Sequence, residues 1–290
     1  MTADFSKIGA RSVPGGGLLL FFLLAYAVMW ACFITVAAVP IPVHTPLGAV
    51  LLLLGAFAPA LVALGLTART EGGAAVEALF RRVIQWRVPA KFYVFAVTYM
   101  AAIKLAAALI HRVATGAWPR FGASPWYLIP AAIAFSTPFQ AGEELGWRGY
   151  ALPRLTARFG LARGSILLGL IWGCWHLPQF FIRDGDSYRQ SFPVFVLQLT
   201  ALSVALAWLY GRTNGSLLLT MLMHSAVNNS KDIVPSGVPG GTNTFGFSVS
   251  LVSWLTLALL WACAAYFLFA MPKAEANTPR EPVAQERVRV

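Results

Sequence analysis

Eight stretches of this chain are almost wholly apolar and long enough, or nearly so, to cross a lipid bilayer: residues 18–39, 47–68, 92–110, 126–147, 165–182, 193–210, 216–229 and 249–271. A spanning helix needs about 20 such residues. The bilayer core offers no water, so each run must satisfy its backbone hydrogen bonds internally, as a helix does. The expected fold is therefore all-α, a polytopic membrane helical bundle of about eight transmembrane helices. The seventh stretch has only 14 residues, which suits a helix enclosed by others. Composition agrees, with 58% hydrophobic and 11% charged residues against about 25% charged in a soluble domain. The expected organisation is a leader at 1–17, one eight-helix domain at 18–271, and a polar, basic, disordered tail at 272–290. The first run has 22 residues, longer than the 7–15 or so of a signal-peptide core, so it reads as a retained helix.

The net charge is +11. Because the basic residues lie between apolar runs, they read as topology signals and contacts to anionic lipids rather than to nucleic acid. The N-terminus, the even-numbered connections and the C-terminus together hold 16 Lys and Arg. The odd-numbered connections hold 5, and Lys104 lies inside the third run. The positive-inside rule then places both termini in the cytoplasm of a multi-pass cytoplasmic-membrane protein. Two basic connections are amphipathic and read as interfacial helices: Val76, Leu79, Phe80 and Val83 share one face, and Leu152, Leu155 and Phe159 another. Cys32, Cys174 and Cys263 are scattered through apolar runs and read as packing residues.

An ionisable side chain near the bilayer centre costs roughly 2.5–3.5 kcal/mol on insertion scales, so each one needs a partner or a task. Three places stand out: Glu143-Glu144 with Arg148, His176, and His224 with Asn228. At ~1.5 Å per helical residue, Glu143 lies ~6 Å before Trp147, His224 ~12 Å beyond Ser216, and His176 ~16 Å beyond Ser165. All three groups are expected in the cytoplasmic half of the bilayer, lining one cavity open to the cytoplasm. Glu144 and Arg148 are spaced i,i+4 and read as a structural ion pair. Glu143, about 100° away around the helix, is left as a carboxylate able to act on water. His176 shares that base role or holds the water. His224 and Asn228 share a face and can offer N–H donors to an oxyanion. Zinc held by Glu143, His176 and His224 is an equally open reading of the same residues. Lys104 reads as paired within the bundle, and His44 and His111 as interfacial.

The competing membrane chemistries lack their parts: there is no His-Glu-x-x-His and no Gly-x-Gly-Asp. A non-enzymatic bundle, either a transporter or an immunity or scaffolding protein, remains the other reading.

At these residues the chain resembles the CAAX-protease and bacteriocin-processing (CPBP) family of intramembrane proteases, whose pattern is Glu-Glu-x-x-x-Arg, Phe-x-x-x-His, then His-x-x-x-Asn/Asp. Glu143-Glu144…Arg148 and His224…Asn228 match the first and third elements. Trp172…His176 matches the second with Trp in place of Phe, and the resemblance covers about 135–230. It implies an eight-helix core and hydrolysis of a peptide bond by water. Glu143 and His176 would activate that water, and His224 and Asn228 would stabilise the oxyanion. The substrate would be a membrane protein or a lipidated peptide, prenylated and CAAX-like in some members. The Phe-to-Trp difference is expected to touch only local packing.

Overall fold

The computed structural model describes residues 16–39, 41–183, 185–236 and 243–271. The expected tail and all but the end of the expected leader lie outside them. Among the described residues there is no strand, and the chain is a bundle of helices. In order they are α1 (Gly16–Ala38), α2 (Pro46–Thr70), α3 (Gly73–Val83), α4 (Ala90–Thr115), α5 (Ile129–Ser136), α6 (Ala141–Glu144), α7 (Leu152–Trp175), α8 (Phe192–Arg212), α9 (Leu217–Ser230) and α10 (Leu251–Ala270). Among the described residues, six helical segments are long and apolar enough to cross a membrane, and the protein is an integral, multi-pass membrane protein.

The fourth and fifth expected helices lie within one helical stretch of 56 residues, Trp126–Phe181, that is broken at Gly160 and so remains two separate segments. That run passes from 3-10 to α-helix, through a π-helical turn at Leu145–Ala151, and into α7. It bends at Gly160, whose φ of 76° and ψ of 160° suit a residue without a Cβ. Gly142 and Gly146 let this run lie directly against α2: a Cβ on Gly142 would press on the Phe57 ring, and one on Gly146 would collide with Pro59. Small residues are what allow backbones to meet this closely inside a membrane. Gly169 and Gly173 do the same between α7 and α8, against Thr200, Ser203 and Val196.

The short helix α9 is mostly buried, packed against α4, α5 and α8, as a 14-residue helix must be. Ser216 caps it, its hydroxyl accepting from the Leu219 N–H. Of the amphipathic connections, α3 buries Leu79 while Phe80 stays exposed. Its end is latched to the turn between α8 and α9, with Arg82 donating to the Tyr210 hydroxyl and Gln85 to the Thr213 carbonyl. Lys104 is buried and donates to the Val234 carbonyl and to Ser236. It therefore ties the segment after α9 to α4, without a hydrogen-bonded carboxylate partner among the described residues.

Candidate active site

The end of α7 explains how the first half of the site forms. Pro178 has no N–H to continue the helix and disfavours helical backbone in the residue before it. The His176 N–H accordingly turns back to the Gly173 carbonyl at 3.2 Å. The Trp172 carbonyl is thereby left without its helical donor, and it accepts Nδ1 of His176 at 2.7 Å. A carbonyl can only accept, so Nδ1 carries the proton and a neutral His176 keeps its lone pair on Nε2. That nitrogen lies 4.0 Å from Oε2 of Glu143, a gap that one water at about 2.8 Å from each atom would bridge. Oε2 of Glu143 also accepts from the indole Nε1 of Trp172 at 2.6 Å.

The second half of the site centres on Glu144. Its Oε1 accepts from Nη1 of Arg148 at 2.8 Å and from Nδ1 of His224 at 2.9 Å. Glu144 and Arg148 are completely buried. The carboxylate can only accept as well, so Nδ1 of His224 is protonated and a neutral His224 presents Nε2 as an acceptor. Donation from His224 to an oxyanion therefore requires the imidazolium, a condition that sequence spacing does not reveal. Asn228 makes no hydrogen bond among the described residues. Its neighbour Asn229 bonds inside the bundle, to Ser136 and to the Ser225 carbonyl.

Glu143, Trp172, His176, His224 and Asn228 line one cavity of about 260 Å³. One wall is apolar, with Met100, Leu199, Leu202 and Leu260, while Gln179, Ser187 and Lys231 form a polar rim. Glu144 and Arg148 do not line this cavity; they stand behind it and hold His224. The two adjacent glutamates thus serve different parts of one site, as their angular separation on a helix requires. Among the described residues, no three His, Cys, Asp or Glu side chains stand close enough together to hold a metal ion. Glu143, His176 and His224 share the cavity but do not form a ligand set, so no step is derived through zinc.

The rim corrects one expectation. Ser187 precedes the Phe192 end of α8, whereas the basic α3 and the 210–216 turn sit at its Arg212 end. The 21 residues of α8 separate those ends by about 31 Å. Cytoplasmic termini and a cytoplasm-facing mouth, both expected from the sequence, are therefore incompatible, because the mouth and the basic connections belong to opposite ends of the bundle. In a background with the three native cysteines replaced, Ser187→Cys and Arg212→Cys are expected to react with a membrane-impermeant maleimide from opposite sides of sealed vesicles. Labelling of both from one side would refute this arrangement.

The fold and these residues define a multi-pass membrane protein with a water-sized carboxylate–imidazole gap inside its helices. Residues 122–230, the segment that builds most of the site, match the family model described as type II CAAX prenyl endopeptidase, Rce1-like. Over 98 residues the chain is 32% identical to CAAX prenyl protease 2 of Methanococcus maripaludis. That alignment covers 32% of this chain and 36% of the relative, so the chain spans about a third of the curated relative's length. Across this segment the chain is similar to the type II CAAX prenyl endopeptidases.

Proposed function

We propose that this protein is an intramembrane endopeptidase that hydrolyses a peptide bond of a membrane-associated substrate with water activated by Glu143 and His176. The reading is carried by the 4.0 Å separation between Glu143 Oε2 and His176 Nε2, with the imidazole proton held away on Nδ1. A water in that gap donates one hydrogen to the Nε2 lone pair and the other to the carboxylate. Glu143 takes a proton as the water oxygen bonds to the scissile carbonyl carbon. The carbonyl oxygen gains the negative charge, and Asn228 supplies N–H donors to it, joined by His224 when its ring is protonated. The carbon–nitrogen bond then breaks and the leaving amine takes the proton from Glu143. Peptide and water become a carboxylic acid and an amine, with Glu143 restored.

The name of the relative, a CAAX prenyl protease, makes a prenylated peptide ending in Cys-aliphatic-aliphatic-X the substrate of choice. The apolar wall of Met100, Leu199, Leu202 and Leu260 beside the polar residues supports a substrate that carries a lipid or apolar segment. The reaction is read as running on side chains alone. The exposed guanidinium of Arg81 on α3, with its neighbouring basic residues, is read as meeting anionic lipid headgroups.

The test is release of the C-terminal tripeptide from a farnesylated peptide by the detergent-solubilised protein, followed by mass spectrometry. Wild type is expected to release it, and chelation to leave the rate unchanged. Asn228→Ala is expected to lower kcat about 10²–10³-fold with KM nearly constant, as for loss of an oxyanion donor. Failure to release the tripeptide removes the prenylated-substrate reading, and activity lost to chelation and restored by zinc removes the metal-free one.

A further inference from the structure

Trp172 stands where the family pattern has phenylalanine, and the bonds it makes go beyond the packing that a phenyl ring provides. Its indole N–H donates to Glu143 and its carbonyl accepts from His176. The Arg148 guanidinium lies 4.1 Å from its ring centroid, and the His224 ring meets it edge-on at 5.3 Å. The residue is completely buried, so both the indole and the bond to Glu143 are fixed by packing. It is the shared contact between the Glu143–His176 half of the site and the Glu144–Arg148–His224 half.

We infer that Trp172 is a positioning residue for Glu143: its indole N–H holds the carboxylate facing His176 Nε2 across the water-sized gap. The inference rests on Glu143 being the base. A glutamate at a cavity wall has three rotatable bonds, and reactive geometry tolerates only about 0.5 Å and 10–20° of error. No other hydrogen bond to the Glu143 side chain is present among the described residues, so the indole is what fixes it. A cation on the indole face draws electron density from the ring and makes its N–H a stronger donor. Arg148 is placed for that, which gives it a second role beyond neutralising Glu144.

Two replacements separate the hydrogen bond from the ring. Trp172→Phe installs the family's residue. The benzothienyl isostere of tryptophan, with sulfur in place of the N–H, keeps the full shape. Both are expected to lower kcat about 10- to 100-fold with KM unchanged, as loss of one charge-assisted hydrogen bond predicts. Loss in the phenylalanine variant alone would mean that the ring acts through packing, and full activity in both would overturn the inference. A second measurement does not depend on turnover. In ¹⁵N-tryptophan-labelled protein, the indole resonance that disappears in Trp172→Phe is expected to move upfield in Glu143→Ala, while the other nine tryptophans stay in place. An unmoved resonance would show that the bond is not formed. If wild type cleaves no peptide but the resonance moves, the positioning contact stands and the assigned reaction fails.

Discussion

Glu144→Ala is expected to destabilise the protein by about 3–5 kcal/mol, the cost of removing one partner from a buried ion pair. In a detergent melt this corresponds to a fall of roughly 10 °C for a chain of this size. The carboxylate is fully buried and accepts from both Arg148 and His224 through one oxygen. Removing it strands a completely buried guanidinium that stays charged at any accessible pH and lies against the buried Trp172 ring. It also frees the His224 ring, so the protein that does fold should turn over slowly. The double variant Glu144→Ala/Arg148→Ala should lose less stability than the sum of the two single variants, because it leaves no unpaired charge. Strict additivity in that cycle would show that the two side chains do not depend on each other.

The alternation of apolar runs and basic connections was sufficient to read a helical membrane bundle, because spanning length and hydropathy are local properties of the chain. The set of cavity residues was also legible: helical rise places Glu143, His176 and His224 at comparable depth, and i,i+4 spacing puts His224 and Asn228 on one face. What could not be read depends on contacts between distant residues. The bond between Glu144 and His224 joins positions 80 apart, so the spacing of Glu144 and Arg148 suggested a pair where the structure has three partners. The role of Trp172 was hidden because Trp and Phe pack alike, and only the geometry of α6 against α7 brings its N–H to Glu143. Cytoplasmic termini and a cytoplasm-facing mouth were read together because depth along a helix does not say which end of a bundle is open. Trp147 and Tyr150 pack against Phe21 of α1, a contact across more than a hundred residues of chain that lies beyond the reach of sequence spacing. The close approach of the 141–147 stretch to α2 depends on Gly142 and Gly146, whose packing no periodicity announces.

Glu143→Ala should do the reverse of Glu144→Ala, abolishing turnover while leaving the fold in place. Glu143 lines the cavity and its side chain is partly exposed, at 16%, whereas that of Glu144 is at 0%. Its removal strands only the Trp172 indole N–H beside a space that admits water, so the melt should move by no more than about 1 kcal/mol equivalent. A general base positioned on its water contributes about 10²–10⁴ in rate, and here the same group must also return a proton to the leaving amine. A loss at or beyond the upper part of that range, roughly 10³-fold or more, is therefore expected in the tripeptide-release assay. Glu143→Gln sharpens the test, because the amide oxygen can still accept from Trp172 while the side chain can no longer take a proton from water. Its rate should fall as far as that of the alanine variant, with KM and the melt both held. Substantial turnover in Glu143→Gln would mean that the carboxylate only shapes the cavity. His176, whose Nε2 faces the same gap, would then be the group that accepts the proton.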